Sequence, residues 1–304
     1  MNKQELAAMV ADILQELGGK QEPMVKASDY KPTEPVAERP QTDYQDGDFV
    51  EDVTKLDLRK LYLTENPANR EEFARLKAKT PARLGCGKAG PRYKTLTMLR
   101  FRADHAAAQD AVFSEVSEDY AKAHDMTPVQ TCCGSKEEYL TRPDLGRKFD
   151  ETNAKVIRGV ISGSPKVLIV VGDGLSSAAI EANGADCKAA IEEGLKAQNI
   201  QVGPSLFVRY CRVGAGDAIG DITGCELVCM LVGERPGLVT DKSMSAYITY
   251  KPHTGVSESS RTVVSNIHSQ GTPAVEAGAH IASLIATILE KKVSGVGLHR
   301  EAQL

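Results

Sequence analysis

Glu234 is the side chain in this sequence best placed to do more than fold. The apolar run Cys225–Val232 reads as a buried strand. It ends in Gly233-Glu234, ahead of a loop stiffened by Pro236 and opened by Gly237. A strand that closes on glycine and an acid, then turns on Pro-Gly, is how an open α/β sheet offers a polar group to a ligand beyond its carboxyl edge. A carboxylate there is costly unless it is solvated, paired or bonded to a ligand. Two readings stand: a salt bridge to Arg235 or another arginine, or an acceptor for the amide and hydroxyl donors of a large polar cofactor. Gly172-Asp173-Gly174-Leu175-Ser176-Ser177 is a second such place, following the clearest strand and preceding a helix. Its amides are placed to meet an anion. Equally, Asp173 or Ser176 simply caps that helix.

Other chemistry-bearing residues read more plainly. Gly85-Cys86-Gly87-Lys88-Ala89-Gly90 matches a dinucleotide fingerprint, yet the charged, helix-patterned stretch before it is no buried strand, so the match is rejected. It reads instead as a turn allowing close approach, with Arg83, Lys88 and Arg92 positioned to meet acidic groups on a partner. His268 reads as structural or interfacial, and His105 as part of a helix. Cys225 and Cys229 share one face if both lie in a strand, and core packing is favoured over metal because no Cys-His set completes a zinc site. Cys132 and Cys133 fit neither a site nor a bridge. No nucleophile elbow, metalloprotease motif or phosphate loop is present.

The elements that must position these groups fall into two textures. Leu6, Met9, Val10, Ile13, Leu14 and Leu17 form one apolar stripe that ends at Gly18-Gly19, so residues 1–19 read as an amphipathic helix. Such a helix either folds back on the body or docks elsewhere. Residues 20–50 are rich in proline and acids and read as a flexible linker. Residues 51–120 read as a small all-helical N-terminal domain, with Asn69 capping one helix and Pro91 suiting the first turn of another. From 121 to 304, strands at Val167–Val171, Leu206–Tyr210, Leu227–Val232 and Ala246–Tyr250 alternate with helices at Ala178–Gln198 and Ala274–Lys291. That alternation predicts an α/β fold with a Rossmann-like, doubly wound, mostly parallel sheet.

Composition sets the outer limits. The chain has 304 residues, 41% hydrophobic and 26% charged, enough for a full core. A net charge of −4 with interspersed signs gives no basic face for nucleic acid. Seven cysteines without framework spacing read as reduced thiols of a cytosolic protein. No apolar run approaches the roughly 20 residues needed to span a bilayer.

The blocks at 82–95 (ARLGCGKAGPRYKT), 140–148 (LTRPDLGRK), 172–177, 231–250 and 261–273 (RTVVSNIHSQGTP) together resemble the small-subunit family of ethanolamine ammonia-lyase, in that order over about residues 80–300. The resemblance implies a radical conversion of ethanolamine to acetaldehyde and ammonia that depends on adenosylcobalamin. It implies that substrate chemistry sits on a large subunit and that the cofactor lies between the two chains. By alignment it assigns Val213, Glu234 and Val263 to the cobalamin site. Family members can carry Cys where Val263 stands, which leaves a backbone or packing contact there. The motif D-x-H-x-x-G, which would give cobalt a protein histidine, is absent, in keeping with a family that retains the cofactor's own benzimidazole. The resemblance further implies that the N-terminal helix directs the protein to a bacterial microcompartment shell within the cytoplasm. The alternative is a subunit whose main task is cargo delivery, with only an indirect role in catalysis.

Overall fold

The buried run Val167–Gly172 is the axis of the molecule, because residues that are apolar or small at every position can be covered on both faces. The computed structural model of the chain describes residues 52–301; the expected helix at 1–19 and linker at 20–50 lie outside them. In chain order the strands are β1 (Lys88–Ala89), β2 (Arg92–Tyr93), β3 (Thr127–Gln130), β4 (Val167–Gly172), β5 (Leu206–Arg209), β6 (Leu227–Gly233), β7 (Met244–Tyr250) and β8 (Arg261–Ile267). The helices are α1 (Arg70–Lys77), α2 (Thr95–Phe113), α3 (Tyr120–Ala123), α4 (Lys136–Thr141), α5 (Glu151–Val160), α6 (Ser177–Ala197), α7 (Ala215–Thr223), α8 (Ala274–Lys291) and α9 (Val296–Glu301).

Six strands form one sheet in the order β3-β5-β4-β6-β7-β8. β3, β5, β4 and β6 are parallel, and β7 and β8 extend the sheet antiparallel. The expected α/β class and mostly parallel sheet are therefore present. The strand expected at Ala246–Tyr250 is antiparallel because a loop, not a crossover helix, joins β6 to β7. On one face, α6 and α8 close over β4, β6 and β7 through Ile180, Ile191, Ile281 and Ile285. On the other, α5 and α7 cover β4, β5 and β6 through Ile157 and Ile219.

The region before β3 carries α1, α2 and the β1–β2 hairpin. Asn69 caps α1 as expected, its side chain accepting from the Glu72 N–H at 3.1 Å. Pro91 differs from expectation: it sits between β1 and β2, and α2 begins only at Thr95. Of the fingerprint-like glycines, Gly85 and Gly87 lie before this hairpin, where the Leu63 N–H donates to the Gly85 carbonyl at 2.8 Å, and Gly90 lies in its turn. Arg83 is not held out for a partner. It pairs with Asp104 at 2.6 Å and donates to the Leu238 carbonyl at 2.9 Å.

Candidate functional site

Helix α6 leaves β4 on one face of the sheet and α7 leaves β5 on the other, so the crevice between the tips of β4 and β5 is where such a sheet normally receives a ligand. Here the chain fills it. Asp173 is fully buried and accepts from the Val116 N–H at 3.2 Å and the Ser177 hydroxyl at 2.7 Å. Lys136, on α4, comes down to 3.9 Å from Asp173 and donates to the Gly174 carbonyl at 3.2 Å. Tyr139 donates to the Cys211 carbonyl at 3.1 Å, and the Arg212 guanidinium covers its ring with a 4.2 Å centroid distance. Burial raises the Asp173 carboxyl, against the pull of Lys136, and burial lowers the Lys136 amine. Ser176 is the cap of α6, accepting from the Ala179 N–H at 3.0 Å. The Gly172–Ser177 loop thus takes the capping reading.

The open surface lies two strands away. β8 is the sheet edge and its burial alternates with exposure, so the face shared by β7 and β8 beyond α7 is uncovered. Cross-strand register sets Met230, Tyr247 and Val263 in one row on that face. Val263 is 48% exposed and Tyr247 is half-buried. Gly216 brings α7 down on this row: a β-carbon there would lie 2.9 Å from Met230 Cγ. The helix start follows Val213, which packs against the same apolar cluster as Tyr247.

Glu234 follows β6 directly, its backbone N–H donating to the Ser243 carbonyl at 3.0 Å. Its carboxylate accepts a short hydrogen bond from the Tyr247 hydroxyl. Among the described residues it forms no ion pair, with Arg235 or any other cation. Burial first, and the bond to Glu234 second, raise the Tyr247 hydroxyl above its usual pKa, so it remains a donor. Tyr247 therefore joins the three residues named from sequence: bonded to Glu234, opposite Val263, on the same cluster as Val213.

A buried ionic network holds the two halves of this surface together. Arg261, 6% exposed, lies two residues before Val263 on β8. It grips Asp217 of α7 through two 2.8 Å bonds, reaches Thr249 at 3.2 Å and pairs with Glu258 at 2.7 Å. Neither this network nor Tyr247 was evident from sequence. Both depend on β8, whose polar alternation hid it; the Arg261–Val263 spacing of two is the one trace, visible only once a strand is assumed.

The remaining candidates fall away from the site. His268 lies in the turn after β8, its Nδ1 accepting from the Gln270 N–H at 3.3 Å. Cys225 and Cys229 are both core, but on opposite faces, not one, because Cys225 precedes the strand. Burial pushes the Cys187 thiol to about 12 and raises Cys211 and Cys229 as well, which makes them inert packing groups. Among the described residues no His, Cys, Asp and Glu cluster could hold a metal ion, and no helix is long and apolar enough to cross a membrane.

Comparison with known proteins matches residues 70–299 to the family described as Ethanolamine ammonia-lyase light chain (EutC). The ethanolamine ammonia-lyase small subunit of Clostridium perfringens is 54% identical over 301 residues, covering 98% of this chain and all of the relative. That of Listeria innocua is 55% identical over 299 residues, again 98% of this chain and all of the relative. The Lachnoclostridium phytofermentans small subunit is 59% identical over 247 residues, 81% of this chain and 83% of its own length. Over nearly its whole length, then, this chain is a member of the ethanolamine ammonia-lyase small-subunit family.

Proposed function

We propose that this chain works as the small subunit of an ethanolamine ammonia-lyase, and that Val213, Glu234 and Val263 line its share of an adenosylcobalamin site completed by a large subunit. The family's relatives are named as small subunits, which implies the larger partner. The observation that carries the reading is the bond from Tyr247 to Glu234. It commits one carboxylate oxygen to the protein and so orients the group. The other oxygen has no partner among the described residues and stays available as an acceptor.

These residues fit the group. A corrin carries amide side chains around its rim, and their N–H groups need acceptors; a half-buried carboxylate is a strong one. Val263 and Val213 offer apolar contact to the ring without demanding a bond to cobalt. Bound adenosylcobalamin supplies an organic radical by homolysis of its cobalt–carbon bond. The part of this chain is to hold and orient the ring and to exclude water from one side of it. Substrate chemistry is assigned to the large subunit.

Glu234→Ala tests the assignment. The two-subunit complex should assemble normally, while its affinity for cyanocobalamin, measured by equilibrium dialysis, falls about ten- to a hundred-fold. Undiminished affinity would remove Glu234 from the site.

A further inference from the structure

Residues 52–113 are bonded to the rest of the chain sparingly. Among the described residues, the one hydrogen bond or ion pair from them to anything past residue 114 is the 2.9 Å bond from Arg83 to the Leu238 carbonyl. The linker that follows, 114–117, is bound to the sheet at several points, and Glu115 makes the second tie of interest. It pairs with Arg209 at 2.8 Å and accepts from the Tyr210 hydroxyl at 2.5 Å. Both ties end beside the candidate site: Leu238 stands four residues after Glu234, and Tyr210 three before Val213.

Each tie acts on a segment that needs one. The base of the loop 235–243 is fixed to α6, the Ser176 hydroxyl donating to the Asp241 carbonyl at 2.5 Å and the Asn183 amide to the Lys242 carbonyl at 3.0 Å. Its crown is closed by its own turn, the Gly237 N–H on the Thr240 carbonyl at 3.0 Å, and is held from outside by Arg83. Arg83 is itself well anchored. Asp104 pairs with it at 2.6 Å, the Phe101 ring lies 5.4 Å from its guanidinium, and Arg100 holds the other side of Asp104 at 2.9 Å. Arg100 in turn donates to the carbonyls of Val53, Thr54 and Leu56. Tyr210 needs holding for a different reason. Its φ of 56° is left-handed, a conformation that bulky residues avoid, and it turns the chain from β5 toward Val213 and α7. The Thr131 hydroxyl on its carbonyl at 3.0 Å, Tyr139 stacked on its ring at 6.1 Å and Glu115 on its hydroxyl keep it there. Strain that several neighbours hold in place is characteristic of positions that aim a functional group.

We infer that residues 52–117 brace the candidate site, with Arg83 and Glu115 as positioning residues: Arg83 fixes the loop leaving Glu234, and Glu115 fixes the turn that presents Val213. The inference rests on the corrinoid reading above. It gives Arg83, and the 82–95 block that carries it, a part in holding the cofactor through the protein. A loop ordered beforehand loses less entropy when a ligand binds, so loosening either segment lowers affinity.

Arg83→Met keeps an apolar stem beside Phe101 and leaves Asp104 paired with Arg100, while Glu115→Ala removes a side chain that is 42% exposed, so both variants should fold. In the two-subunit complex each should bind cyanocobalamin about three- to ten-fold more weakly, and the double variant about ten- to a hundred-fold, because the two ties are separate. Arg83→Lys keeps a donor and should lose less; it carries the affinity test if Arg83→Met does not assemble with the large subunit. Hydrogen exchange on the full chain should show the 235–243 amides losing protection in Arg83→Met, and those at 210–214 in Glu115→Ala. Faster exchange with undiminished affinity would make the ties merely structural and overturn the inference. Unchanged exchange would overturn it too, whatever the affinity. Failure of the unaltered complex to bind cyanocobalamin would instead bring down the corrinoid reading itself.

Discussion

Arg261→Ala is expected to destabilise the folded chain by about 3–5 kcal/mol, the cost of breaking a buried ion pair from one side. Arg261 is almost fully buried and spends its guanidinium on Asp217, Glu258 and Thr249. Truncation takes away the guanidinium that pairs with the largely buried Asp217 and empties the space it filled. The Asp217 bond first, and the Glu258 bond after it, hold Arg261 firmly protonated. Glu258 is the minor partner. Its side chain is 71% exposed, so Glu258→Gln should cost no more than about 1 kcal/mol. Because Arg261 stands two residues from Val263 and Asp217 four from Val213, the same substitution should also loosen the surface proposed above to meet a corrinoid. Urea denaturation of the purified chain measures the first effect. A loss below about 1 kcal/mol would mean that the network is not what joins β8 to α7.

The second large effect lies in the filled crevice. Lys136→Met strands Asp173 in the interior and should cost about 3–5 kcal/mol near neutral pH. The dependence on pH has a definite sign. Burial raises the folded-state pKa of Asp173 above its ordinary 3.8. Its contribution to stability is therefore complete below that ordinary value and is lost as pH rises through the raised one. Lys136 is the foremost influence holding the carboxyl down, so its removal moves that loss further up the scale. Lys136→Met should accordingly be less stable at about pH 8 than at about pH 5, as read by urea midpoints. Adding Asp173→Asn removes the charge, keeps an acceptor for the Val116 N–H and reverses the Ser177 bond, the amide donating to a hydroxyl that itself donates to the Ser114 carbonyl, and should restore most of the stability. A variant whose midpoint ignores pH would contradict the pairing.

How much of this could be read from the sequence follows from burial. β4 and β6 are buried on both faces, so their unbroken apolar runs declared themselves. Glu234 declared itself too, since an acid directly after such a run is anomalous in a core and sensible only at a strand tip. β3 was hidden by its four-residue length and by Pro128, which an edge strand tolerates and a central one does not. β8 was hidden because one of its faces is open, so Arg261–Ile267 lacks a clear apolar rhythm. Val263 was accordingly named by family resemblance alone, and Tyr247 was not named at all. Its role depends on lying opposite a strand that periodicity could not find. The Lys88–Tyr93 hairpin was missed for a related reason: Pro91 suits a turn and a first helical turn equally well, and only the Lys88–Tyr93 pairing decides between them.

In the proposed function this chain furnishes one part of a corrinoid pocket, an open sheet face with an oriented carboxylate, and the large subunit closes it. Titrating cyanocobalamin into the isolated chain and into the two-subunit complex under the same conditions tests it directly. The complex should saturate with an affinity at least about 100-fold higher than the chain alone, a difference on the order of 3 kcal/mol. Equal affinity in the two titrations, or a complex that does not take up the corrinoid, would contradict it.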